Sequence, residues 1–162
     1  MSELGLLLKL TIQMNRKKSN KKGPVRAKKA SADGIEFRSG LEKHTYLALK
    51  EAGLFDMYEK EEFQLINSFQ FDNVSIEKQS NGKGEFHNRG EKRIIGIKYT
   101  PDFTSYDYIC ECKGRANESF PLRYKLFKRW LGLNNDNRVL YKPQNQKDVA
   151  IMVKDISDRR KI

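Results

Sequence analysis

Apolar and polar positions change their period several times along the chain, and each change predicts an element. From Leu41 to Ala52, the positions Leu41, Thr45, Ala48, Leu49 and Ala52 fall on one helical face. Ser39 stands before them as an N-cap with Glu42 three residues later in capping-box spacing, and Gly53 suits the helix end. Glu62 to Phe71 alternates, which predicts a strand offering Phe63, Leu65, Phe69 and Phe71 to a core. Asp72 to Arg93 is rich in Asn, Gly, Lys and Glu, and Asn81-Gly82 is a hairpin-turn signal, so this stretch reads as a projecting hairpin or a long loop. Strand character returns from Arg93 to Thr100 and again from Tyr108 to Lys113, with Ser105-Tyr106-Asp107 as the turn between. Ser119 and Pro121 open a second helix over about Leu122 to Leu131, with Leu122, Leu126, Phe127 and Trp130 as its apolar contacts. Arg138 to Tyr141 is a short final strand. The order is αβββαβ, an α/β (α+β) arrangement with a mixed sheet flanked by helices.

At 162 residues the chain suggests one domain with extensions. The expected division is a basic, flexible extension over 1–34, a folded domain over 35–145 with 72–93 inserted in it, and a C-terminal tail over 146–162. A formal charge of +11 favours a polyanionic partner, because each neutralised phosphate releases counterions. Charge alone fits a ribosomal-type or merely soluble basic protein equally well. Between Arg16 and Lys29, Lys17, Lys18, Lys21 and Lys22 belong to a run without one acidic residue, which reads either as a grip on DNA backbone or as a solvated linker. Leu4 to Ile12 is apolar but interrupted by Lys9, too short to span a membrane and without a cleavage site, so no membrane partner is expected. A short strand or helix used in dimer contact is open for that segment. Cys110 and Cys112 alternate with Glu111 and Lys113, pack best as small apolar residues and make a poor disulfide and a weak zinc site. A reducing cytoplasm is the compartment this suggests.

The chemistry concentrates between Tyr99 and Gly114. Pro101-Asp102 is followed by Glu111-Cys112-Lys113, and residues two apart on a strand share a face, roughly 6–7 Å apart. Glu111 and Lys113 therefore point the same way, and the neighbouring strand can deliver Asp102 beside them. Two carboxylates suit a hard cation such as Mg²⁺, and a lysine can position or deprotonate a water for attack on phosphorus. Glu42 is open to two roles: it can bond the first amides of its helix or stand as a third carboxylate of the same centre.

Pro101-Asp102, Glu111 and Lys113 resemble the PD-(D/E)xK nuclease superfamily. Phe37-Arg38-Ser39-Gly40-Leu41-Glu42, Tyr99 to Phe103 and Glu111 to Gly114 are similar, over roughly residues 36 to 141, to the phage endonuclease I family of Holliday-junction resolvases. Arg123 to Lys128 resembles a helix of related small phage endonuclease-like proteins. The resemblance implies a restriction-endonuclease-like core and a metal-dependent endonuclease cutting branched or junction DNA. Asp102, Glu111 and the backbone carbonyl of Cys112 would hold Mg²⁺, with Mn²⁺ substituting; Glu42 would support a second or outer position, and Lys113 would act on the water. Arg38, Arg115, Arg123, Lys125, Lys128 and Arg129 are the candidate contacts to DNA outside the basic extension. Resolving a junction takes two coordinated nicks, which implies two active sites and a homodimer. The basic extension, the 72–93 insertion and the short end after Tyr141 depart from the endonuclease I pattern.

Other classes lack their residues. There is no Gly-rich phosphate loop followed by Lys-Ser/Thr, so no nucleotide cofactor is expected, and His44 and His87 have no partner placed for nucleophilic catalysis. The alternatives are a DNA-binding or recombination accessory protein that keeps the fold without cutting, and a basic structural virion protein.

Overall fold

The computed structural model describes residues 28–90, 92–114 and 117–161, as a mixed α/β fold. Strands β1 (Ala30–Ala32) and β2 (Ile35–Phe37) form a hairpin ahead of the first helix. Its turn is Asp33-Gly34, both at positive φ (51° and 76°), the geometry that matches the right-handed twist of two adjoining strands. Helix α1 (Gly40–Glu51) begins at Ser39, whose hydroxyl accepts the Glu42 N–H at 3.2 Å. It ends at Gly53, at φ 67°: the Gly53 N–H reaches the Lys50 carbonyl and the Leu54 N–H reaches that of Leu49 at 2.8 Å, satisfying the last orphan acceptors. Then come β3 (Met57–Tyr58), β4 (Phe63–Ile66), β5 (Phe69–Phe71), β6 (Ile76–Glu77), β7 (His87–Asn88), β8 (Lys92–Ile94), β9 (Ile97–Tyr99), β10 (Phe103–Thr104) and β11 (Tyr108–Cys110). Helix α2 (Phe120–Leu133), β12 (Val139–Tyr141) and α3 (Gln146–Arg159) complete the described residues.

The largest sheet runs β12-β11-β10-β3, with β11 and β12 parallel and the other neighbours antiparallel. A parallel return needs a crossover, which α2 supplies. Alternation along β11 divides the core. Tyr108, Cys110 and Cys112 pack with Phe37, Tyr46 and Leu49 on the side of α1 and α3, while Ile109 packs with Phe120, Tyr124, Phe127 and Leu131 of α2. Both cysteines are free and buried, as their strand positions suggest.

Residues 63–99 form a two-stranded arm: β4 pairs with β9, β5 with β8 and β6 with β7, all antiparallel. Its glycines permit close approach. A Cβ on Gly90 would lie 1.9 Å from the Asn73 carbonyl oxygen, and one on Gly96 would lie 2.5 Å from that of Ile66.

Several sequence expectations are corrected. The C-terminal tail expected over 146–162 is instead a helix over Gln146–Arg159: α3 buries Val149, Met152 and Ile156 against the core. The folded part also begins before residue 35, because β1 pairs with β2 and packs Ala32 on the core. Ala52 is exposed, and Tyr46 takes the buried face of α1 in its place. The strand predicted over 62–71 breaks after Ile66, so Phe63 is buried while Phe69, out on the arm, is 48% exposed. Leu122 faces solvent at 64%, and Tyr124 is buried instead. No helix of the described residues is long and apolar enough to cross a membrane.

Candidate active site

The N-termini of α1 and α2 border one cleft of about 700 Å³ at an end of the large sheet. Its walls include Arg38, Glu42, Tyr99, Asp102, Glu111, Cys112, Lys113, Phe120 and Arg123. Residues far apart in the chain meet there because β11 continues past Cys110. The Glu111 N–H donates to the Tyr141 carbonyl and the Lys113 N–H to that of Pro143, both at 3.0 Å, which extends the pairing with the β12 side and sends Glu111 and Lys113 to the same face. Asp102 sits just before β10, and its Oδ2 accepts the Cys112 N–H at 2.6 Å, joining the two strands across the site.

Asp102, Glu111 and Glu42 are 8%, 8% and 6% exposed, and none of them is ion-paired among the described residues. Burial, then the neighbouring Glu111 and Glu42 charges, push the Asp102 carboxyl well above its usual range, against the lowering effect of the Cys112 N–H. Burial raises Glu111 too, opposed by the Tyr99 hydroxyl and by Lys113. Two adjacent buried carboxylates repel one another unless a proton or a cation stands between them.

Glu42 serves its helix in this arrangement. Its Oε2 accepts the Arg38 N–H at 2.9 Å and the Tyr58 hydroxyl at 2.8 Å, while its Oε1 accepts the Ser39 hydroxyl at 2.7 Å. The box is shifted by one residue, since the carboxylate reaches the amide of Arg38 rather than that of Ser39 itself. Among the described residues no three His, Cys, Asp or Glu side chains converge as a ready-made metal cage. The pair Asp102 and Glu111 nevertheless has the donor chemistry of a hard divalent cation, two carboxylates without counter-charge. Tyr99 adds a buried hydroxyl that makes no hydrogen bond beside Glu111, a polar atom held at the site with no partner in the protein.

The sequence pattern does not single out Tyr58, Glu59, Tyr99 or Phe120. Tyr99 is readable in retrospect as the strand residue two before Pro101. It is clamped between Phe127, stacked at 4.4 Å, and Arg123, whose Cζ lies 5.8 Å from the ring centroid. Glu59 is at φ 47°, a left-handed conformation uncommon for a residue with a Cβ. There its N–H holds the Asp102 carbonyl at 2.9 Å, and its carboxylate pairs with Arg38 at 3.1 Å. No spacing rule exposes either residue, because each acts through a contact between distant segments.

Of the expected DNA contacts, Arg38 and Arg123 line the cleft. Lys125, Lys128 and Arg129 are exposed on α2, outside its walls. Arg115, Lys17, Lys18, Lys21 and Lys22 lie outside the described residues. Comparisons with protein-family models, curated proteins and solved structures return no match to this chain.

Proposed function

We propose that this protein is a metal-dependent endodeoxyribonuclease that hydrolyses phosphodiester bonds on a restriction-endonuclease-like core. The observation that carries it is the pair of buried, unpaired carboxylates Asp102 and Glu111, beside Lys113 in a cleft bordered by Arg38 and Arg123. Asp102 and Glu111, with the Cys112 carbonyl, are the residues to hold Mg²⁺ or Mn²⁺, and Glu42 can support them only by giving up part of its cap. A bound ion supplies Lewis-acid neutralisation of the phosphate charge.

The chain's own groups have distinct tasks. Lys113 orients the attacking water and balances charge on the phosphate. Arg123 is braced by the bond from its Nη2 to the Lys98 carbonyl at 2.8 Å, so a guanidinium is held at the cleft wall for a phosphate oxygen. Tyr99 leaves a free hydroxyl beside Glu111 for a bound ion or water, and Asp102 is fixed by the Cys112 N–H. The resemblance to junction resolvases extends the proposal to branched DNA, a homodimer acting in the host cytoplasm, and products carrying a 5′-phosphate.

Labelled four-way junction, flap, duplex and single-stranded DNA, incubated with Mg²⁺, Mn²⁺ or EDTA, test this against folded Asp102→Ala and Lys113→Ala proteins. Paired metal-dependent nicks near the crossover, lost in both variants, are expected. Similar nicking of every substrate keeps the nuclease and removes the junction preference. One observation favours a second reading, a DNA-binding accessory protein that does not cut: Glu42 is fully engaged and no three ligand side chains converge among the described residues. Tight binding without cutting in any metal selects that reading.

A further inference from the structure

Three lysines from three different segments lay their ammonium groups on one aromatic platform that leads away from the cleft. Phe120 and Tyr124 are stacked, with centroids 5.2 Å apart and planes 22° from parallel. Lys113 Nζ lies 4.8 Å from the Phe120 centroid, inside the cleft wall. Lys128 Nζ and Lys142 Nζ lie 5.0 Å and 5.8 Å from the centroid of the same Tyr124 ring.

The ring quadrupole attracts each ammonium but does little to cancel the repulsion between two of them. No carboxylate lies within ion-pairing distance of Lys113, Lys128 or Lys142 among the described residues, whereas Lys50, Lys98, Lys154 and Lys161 are each paired. Helix α2 adds Arg123, Lys125 and Arg129 and has no acidic residue from Phe120 to Leu133. A lysine resting on a ring has already lost part of its rotamer freedom, so an anion binding there costs less ordering. The missing counter-charge is an anion that can meet several cations in a row, as a nucleic-acid backbone does.

We propose that Lys128 and Lys142, seated on Tyr124, bind backbone phosphates of the DNA strand whose scissile phosphate lies at Lys113, so that the strand leaves the cleft across Phe120 and Tyr124. Lys113 sits over Phe120 and the outer pair share Tyr124, the next ring of the platform, so the two positions are offset along the path of one strand. The position of the scissile phosphate rests on the nuclease reading; the outer phosphate contacts rest on the lysines alone.

The test is fluorescence anisotropy of a labelled duplex and a labelled four-way junction in EDTA across a salt series. It compares wild type, Lys128→Gln/Lys142→Gln, and Lys154→Gln/Lys161→Gln, which removes the same net charge from α3 and the residues just after it. Each phosphate contact contributes about 0.9 to the slope of log affinity against log salt, so the first double variant should lose about 2 from that slope and roughly 10- to 100-fold in affinity at 0.1 M salt. The second should stay within about twofold of wild type. Equal losses in both doubles, or no loss in the first, overturn the track. A wild type that shows this slope difference but cuts nothing in Mg²⁺ or Mn²⁺ supports the outer phosphate contacts and overturns the nuclease reading.

Discussion

Replacing Asp102 by Asn should make the metal-free protein more stable while removing its response to divalent ions. The carboxylate is 8% exposed, faces Glu111 and Glu42, and has one stabilising contact, the 2.6 Å bond from the Cys112 N–H. An asparagine side-chain oxygen keeps that bond, so the substitution removes charge and little else. A buried charge without a partner costs several kcal/mol, and access of water through the cleft reduces this to about 1–3 kcal/mol here. At about 2–4 °C per kcal/mol for a domain of this size, Tm in EDTA should rise by roughly 2–12 °C near neutral pH. The sign follows from linkage. The folded carboxyl is raised above its unfolded value of about 3.9, so its protonated form contributes stability below that pH, and the contribution is lost as pH rises through the folded value. Glu111 and Glu59 shift in the same direction, chiefly through burial, but remain in both proteins. The gap between variant and wild type should therefore be small near pH 4 and widen towards pH 8. Saturating Mg²⁺ should reverse the order, since a ligand at 100 times its Kd stabilises by about 2.7 kcal/mol. Thermal melts from pH 4 to 8, with EDTA and with Mg²⁺, measure all of this. A variant no more stable than wild type at pH 8, or a gap independent of pH, would refute the reasoning.

Other perturbations separate the site from its scaffold. Tyr99→Phe removes a hydroxyl that makes no hydrogen bond, so Tm in EDTA should hold or rise slightly, while the Mg²⁺ concentration giving half-maximal stabilisation should increase several-fold; a loss above about 1.5 kcal/mol in EDTA contradicts this. Arg138→Met strands Glu61, held at 2.7 and 2.8 Å, and Asp136, held at 2.7 Å, and should cost about 2–4 kcal/mol in urea melts. Because the Arg138 pairing lowers Asp136, that contribution is present above the usual aspartate value and lost as pH falls, so the deficit should shrink below about pH 4. Gly96→Ala forces a Cβ to 2.5 Å from the Ile66 carbonyl and should cost about 1–3 kcal/mol, read as faster amide exchange across β4 and β9.

What was legible in the sequence was local. The Ser39 cap, the Gly53 stop and the burial of Cys110 and Cys112 follow from short-range rules. The meeting of Asp102, Glu111 and Lys113 at one cleft was expected from motif spacing, and that of Glu42 only from the family resemblance. Helix α3 was legible in principle, with Asn145 as N-cap, Asp148 in its first turn and Val149, Met152 and Ile156 on one face, although the domain edge expected at 145 excluded it. The exposure of Phe69 was not legible, since alternation tells which face a residue takes but not whether another layer covers that face. Tyr58, Glu59 and Tyr99 were hidden for a similar reason: their partners are set by how segments dock.

The parallel pairing of β11 with β12 has a kinetic consequence. The amides of Glu111 and Lys113 are held by the carbonyls of Tyr141 and Pro143, about thirty positions later in the chain, with α2 in between. Such nonlocal contacts form slowly and only after the intervening crossover has docked. On the ribosome, where the chain emerges from its N-terminus, the carboxylates and lysine are synthesised well before the backbone that aims them. A nascent chain halted before residue 139 carries every candidate catalytic side chain without the strand that orients Glu111 and Lys113, so the cleft is completed only late in synthesis.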